Sequence, residues 1–167
     1  MAWQTFPKSA RPPATVRKLI DVFHAHDHEL GSNDHTLQSN EVLNLVAPSL
    51  REAGFQVELS KAVEGKISVP VLYGMNGKIE KSFNADAFHP GEGVVLEVEA
   101  GRALDNNQIL KDLFQACMMQ DARHLVICVR NIYRGNRDFD KAMVWFDTLY
   151  ASQRLRLPLD TVTLVGY

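Results

Sequence analysis

Two hydrophobic periods divide the chain. Between Ala14 and the breaker run Gly31-Ser32-Asn33, the residues Val16, Leu19, Ile20 and Phe23 recur at helical spacing. A second helical stretch covers about Leu37 to Ala53, with Val42, Leu45, Val46, Leu50 and Ala53 along one face. Ser39 suits its N-cap and Glu41 its first turn, where negative charge complements the helix dipole. Pro48 lacks the amide proton a helix interior uses, which predicts a kink or break, and Gly54 ends the run. The period then changes to two. Phe55, Val57 and Leu59 alternate with polar residues, as do Ile67, Val69, Val71 and Tyr73. Asn76-Gly77 is a hairpin signal, with a returning strand from about Lys78 to Phe88. Gly93 to Ala100 reads as a buried strand.

Further on, Asp105 is placed to cap a helix over 106–120, whose apolar face carries Ile109, Leu110, Leu113, Phe114 and Cys117. Leu125 to Val129 is another buried strand. A helix after Asp138 carries Ala142, Met143, Trp145, Phe146 and Leu149, and a short strand near Thr161 to Val165 closes the chain. This order predicts an α/β fold on a mixed sheet flanked by helices. Residues 1–13, with Pro7, Pro12 and Pro13, read as a flexible N-terminal arm, and 14–167 as a single domain.

Composition narrows the class. With 167 residues, 46% apolar and 23% charged, the chain can bury one core, and a wholly disordered chain is excluded. No apolar run reaches the ~18–20 residues of a membrane span, and Met1 to Arg17 shows no secretory leader. Cys117 and Cys128 each sit among apolar neighbours and read as small core residues of a cytoplasmic protein, a disulfide being the alternative. A net charge of −2 argues against a protein that coats nucleic acid by charge alone. It leaves room for an acidic metal site with a basic rim.

The chemistry concentrates in residues 84–101. On a strand from Gly93, Val94, Leu96 and Val98 fall on one face, and Val95, Glu97 and Glu99 on the other. The two carboxylates point the same way, their Cα atoms about 7 Å apart by strand rise. A short turn at His89–Glu92 brings Asp86 of the preceding strand towards them. Three converging carboxylates are costly without a counter-charge, and they offer the oxygen ligands that Mg²⁺ or Mn²⁺ takes. The plain alternative is a solvated sheet face.

Asp86, then ten residues, then Glu97-Val98-Glu99, on a hairpin followed by a helix and a buried strand, resembles the PD-(D/E)XK nuclease superfamily. The resemblance runs in outline over about residues 37–130. It implies a restriction-endonuclease-like α-β-β-β-α-β core: the helix at 37–53, strands at 55–60, 78–88 and 93–100, the helix at 106–120 and the strand at 124–130. The strand at 67–74 and everything beyond 131 would be additions. The resemblance further implies a Mg²⁺- or Mn²⁺-dependent endonuclease hydrolysing DNA, of restriction type, with Asp86, Glu97 and Glu99 catalytic and Asp86 and Glu97 holding the metal. Ala85 stands where the family has proline. Glu99 replaces the usual lysine, as in some restriction endonucleases of the superfamily. Lys111 lies nearly opposite its helix's apolar face and is set aside as a substitute. The missing lysine also supports an inactive nuclease-fold module binding DNA or a protein partner. Cutting both strands would suit a homodimer.

Other polar groups have ordinary readings. Glu41 reads as a dipole-complementing residue, with a reach to the site as its alternative. His24, His26 and His28 read as a solvated helix end and His89 as a turn residue. Arg102, Arg123, Arg130, Arg134, Arg137, Arg154 and Arg156 are candidates for a phosphate-facing rim, which their clustering in space would support.

Overall fold

A six-stranded mixed sheet in the order β1-β8-β7-β6-β5-β2 carries the fold. The structure is a computed structural model that describes residues 1–58, 65–101, 103–104 and 107–167. The strands are β1 (Ala2–Phe6), β2 (Gln56–Val57), β5 (Ala87–His89), β6 (Val94–Glu99), β7 (His124–Val129) and β8 (Thr161–Gly166). Two more, β3 (Ile67–Tyr73) and β4 (Ile79–Ala85), form a separate two-stranded sheet. The helices are α1 (Ala14–Ala25), α2 (Asp27–Leu30), α3 (Ser39–Glu52), α4 (Gln108–Met118) and α5 (Asp138–Ser152).

Strands β6, β7 and β8 are parallel and joined through α4 and α5. Successive crossovers of one hand, stepping the same way along a sheet, place both helices on the same face. Val95, Leu125, Ile127 and Val129 pack there with Ile109 and Leu113 of α4 and Phe146 of α5. The opposite face buries Val94, Leu96, Val98, Val126 and Cys128 against Val16, Leu19 and Phe23 of α1 and Val42, Val46 and Leu50 of α3. Each fully buried side chain of this kind contributes roughly 1.5–3 kcal/mol over its exposed state.

The helix at 39–52, the hairpin at Asn76-Gly77 and the strands at 94–99, 124–129 and 161–166 match the expectation, while the helix expected from Ala14 to the Gly31 breaker run is divided at His26 into α1 and α2. Both cysteines are free thiols. Among the described residues, no helix is long and apolar enough to cross a membrane.

Several elements differ from it. The first residues are no loose arm over 2–6: β1 pairs antiparallel with β8, and Phe6 is buried, its ring 5.4 Å from that of Tyr150. The prolines that suggested an arm begin only after this edge strand. Pro48 does not break α3. It and Asn44, whose carbonyl loses the Pro48 donor, both lie on the exposed face, where water can take the bond. Gln38 rather than Ser39 occupies the N-cap, and its N–H donates to Glu41 Oε2 at 2.6 Å. The strand expected over 78–88 divides at Asp86, β4 joining the small sheet and β5 the large one. The strand expected over 55–60 is formed at Gln56–Val57; Leu59 lies outside the described residues, as do Arg102 and the cap assigned to Asp105.

Helix α4 is rotated from the expected face. Its buried residues are Ile109, Asp112, Leu113 and Ala116, while Leu110 and Phe114 are exposed.

Candidate active site

The site lies at the carboxyl end of β6, where open α/β sheets commonly bind ligands. Val95 packs in the core beneath α4, so alternation puts Glu97 and Glu99 on the same face. Asp86 arrives there through the β5–β6 register, in which Ala87 opposes Leu96 and Phe88 opposes Val95. One step further sets Asp86 opposite Glu97. The β5 ladder has ended by Val98, and the free Val98 N–H donates to Asp86 Oδ2 at 2.7 Å. A buried amide must find such an acceptor, so this bond fixes the carboxylate at the sheet's break.

The rotation of α4 adds a fourth carboxylate, Asp112, which is almost fully buried. Asp86, Glu97, Glu99, Asp112 and Lys111 line one polar cleft of about 450 Å³. The sequence contained the sign for Asp112. It stands three residues after Ile109 and four before Ala116, on the buried side of the helix. A face drawn through Leu110 and Phe114 passes it by.

The same rotation corrects the position of Lys111. It lines the cleft, its Nζ 3.8 Å from Asp112 Oδ1. Its charge acts on Asp86, Glu97, Glu99 and Asp112 alike, favouring their ionised forms.

The Lys111 ammonium does not offset the burial of these carboxyls. Desolvation pushes Asp86 up to about 6, against the lowering effect of the Val98 N–H, with repulsion from Glu58 and Asp112 adding to the rise. Glu97 is raised well above the usual carboxylate range, by burial first and then by Asp86, Asp112 and Glu99. Burial, repulsion from Asp112 and a proton shared with it hold Glu99 at about 8. Burial also raises Asp112. The cluster is short of positive charge, and Asp112 Oδ2 is buried without a hydrogen-bond partner among the described residues.

The donor set is oxygen only, which suits a hard divalent cation such as Mg²⁺ or Mn²⁺. Crowded carboxylates and an orphaned buried oxygen fit such an ion by charge and by ligand type. Among the described residues, however, no group of three or more His, Cys, Asp and Glu side chains has its donor atoms already gathered as a bound metal requires. Side-chain rotation would have to close the set.

The remaining candidates separate cleanly. Glu41 is engaged in capping α3. Ser39 instead accepts the Ala100 N–H at 3.1 Å and ties the start of α3 to the end of β6. α1 ends before His26, whose Nδ1 meets the Val22 carbonyl at 2.9 Å. His24 and His28 therefore share no continuous helix. His89 Nδ1 accepts the Glu92 N–H at 3.1 Å, holding the turn between β5 and β6. Of the arginines, Arg123 pairs with Asp160 and Arg137 with Asp140. Arg154 and Arg156 are exposed. Arg130 and Arg134 meet at the ring of Tyr133.

Comparison with known proteins finds no family model that matches this chain and no curated protein that matches it.

Proposed function

We propose that the chain is a metal-dependent endonuclease of the PD-(D/E)XK type that hydrolyses DNA phosphodiester bonds. The observation that carries this reading is the meeting of Asp86, Glu97, Glu99 and Asp112, from three separate parts of the chain, in one cleft beside Lys111. The order of elements supports it. α3, β2, β5, β6, α4 and β7 follow one another as α-β-β-β-α-β, and their strands are neighbours in the sheet order β7-β6-β5-β2. The β3–β4 hairpin is then an insertion between β2 and β5.

Asp86 and Glu97 would hold a Mg²⁺ or Mn²⁺ ion, which when bound neutralises phosphate charge and makes water a better nucleophile. The protein residues position and protonate. Val98 N–H aims Asp86. Glu99, at about 8 without metal, shares a proton with Asp112 and is placed to take or hold one near neutral pH. Lys111 supplies from α4 the positive charge that the superfamily carries on the strand, where this chain has Glu99. Two copies on a two-fold axis would address both strands of a duplex, and two free thiols fit a cytoplasmic setting.

A second reading, an inactive nuclease-fold module binding DNA or a protein, is favoured by the ungathered donor atoms. One assay separates the two. The parent, Asp86→Asn and Glu97→Gln are incubated with supercoiled plasmid and labelled oligonucleotides in Mg²⁺, in Mn²⁺ and in EDTA. Cleavage by the parent in metal alone, lost in both variants, is the expected result. A parent that leaves DNA intact in both metals would overturn the enzyme reading.

A further inference from the structure

Next to the carboxylate cleft opens a second polar cleft of about 430 Å³, lined by Arg130, Tyr133 and Arg134 and sharing Ser39 and Glu99 with the first. Its position follows from the sheet. Glu99 pairs with Val129 across the parallel β6–β7 ladder, and Arg130 is the next residue along. The acidic and basic groups therefore leave adjacent strands at the same edge.

Arg130 is only 6% exposed. Its Nη2 donates to the Leu37 carbonyl, it reaches the Tyr167 hydroxyl, and its guanidinium carbon lies 5.5 Å from the Tyr133 ring centroid. The Tyr167 hydroxyl in turn donates to the Glu99 carbonyl at 3.3 Å, which links this cleft to the strand of the first. Among the described residues, no carboxylate forms an ion pair with Arg130 or Arg134. A guanidinium taken out of water without an anion is costly, and its five-donor fork leaves N–H groups beyond those two contacts.

Arg134 is held over the same ring, 5.1 Å away, by a tight turn. Tyr133 and Asn136 exchange backbone hydrogen bonds of 2.9 and 2.8 Å, and between them Arg134 and Gly135 both have positive φ, 48° and 77°. Asparagine or glycine is the usual first residue of such a turn. An arginine there carries backbone strain. On the other side Gly101, at φ 115°, lies so close that a Cβ would stand 2.3 Å from the Tyr133 ring. The aromatic ring is clamped, and it orients two cations towards one opening.

We propose that Arg130 and Arg134 form a phosphate subsite that binds the nucleic-acid backbone beside the bond held at the carboxylates. The inference rests on the nuclease reading for its choice of ligand. A planar fork matches phosphate oxygens bidentately, and two forks fixed on one ring fit a phosphodiester better than a diffuse charge patch does.

The test is binding of a labelled duplex oligonucleotide in EDTA, read by fluorescence anisotropy over a salt series. Arg134 is exposed, so Arg134→Ala is expected to fold normally, which its thermal midpoint checks. It should bind about tenfold more weakly and lower the slope of log K against log salt by about 1, while Arg134→Lys keeps the parent's slope. Arg130→Lys should weaken binding with its charge retained, because the fork is lost. Parent-like affinity and slope in Arg134→Ala, or a parent that does not bind, would overturn the subsite. The nuclease reading stands or falls separately, on cleavage by the parent in Mn²⁺.

Discussion

Strands β6 and β7 run side by side, parallel and in register, under the same helices. Opposite Ile127 and Val129 of β7, β6 presents Glu97 and Glu99. Both strands reach the same core: Val95 and Leu125 are fully buried at their start. β7 continues apolar to its last residue, whereas β6 changes to carboxylates halfway, on one face only. Its other face remains Leu96 and Val98 in an apolar core. At the paired positions of β7 the same sheet face takes Ile127 and Val129, so carboxylates are not a general demand of this face. Desolvated carboxyls with raised proton affinities cost stability, and such groups concentrate at functional sites.

The comparison can be broken first from the β7 side. Ile127→Glu would place a carboxyl on the next strand, at the fully buried ladder partner of Glu97. It should cost roughly 3–5 kcal/mol in urea denaturation, as an unpaired buried charge does. Parent-like stability would mean that this sheet face tolerates charge anywhere. Next, Asp86→Asn and Glu97→Gln should each lower Mn²⁺-dependent DNA cleavage by at least ~10²-fold, the rate equivalent of the several kcal/mol a bound cation supplies. Third, Glu97→Val makes β6 resemble β7. In EDTA it should be more stable than the parent by about 1–3 kcal/mol, since apolar packing commonly improves on a desolvated carboxyl. Lower stability would make Glu97 a scaffold residue.

A pH dependence in EDTA is also expected. Asp86 at about 6 and Glu99 at about 8 lie above the ~4 of unfolded carboxyls, so the folded chain binds more protons. Their contribution is complete below pH ~4 and is lost as pH rises through the folded values. The thermal midpoint should therefore fall between pH 5 and 8, by about 2–4 °C for each kcal/mol lost. A flat or rising midpoint over that window would contradict the raised affinities.

Strand alternation and the short turn sufficed to place Asp86, Glu97 and Glu99 on one cleft, because a period of two leaves no freedom of side. Helix α4 was less legible. Leu110 and Phe114 carry hydrophobic weight yet are exposed, and a helix can turn about its axis by one residue at little local cost. That turn brings Asp112 inward and Lys111 to the cleft; the spacing of Asp112 from Ile109 and Ala116 allowed it, but the weight of Leu110 and Phe114 pointed to a different face. The edge strand β1 was hidden for a different reason. Its five residues gain their stability from pairing with β8, at the far end of the chain, and local pattern does not report such a partner.

The proposed binding of a divalent cation by these carboxylates is tested most directly by Mn²⁺ titration followed by electron paramagnetic resonance. The free-ion signal of Mn²⁺ should fall on addition of the parent, saturate, and return with excess Mg²⁺. Glu97→Gln, folded by circular dichroism, should leave the signal of free Mn²⁺ nearly unchanged. Equal Mn²⁺ uptake by parent and variant, or none by the parent, would contradict the account.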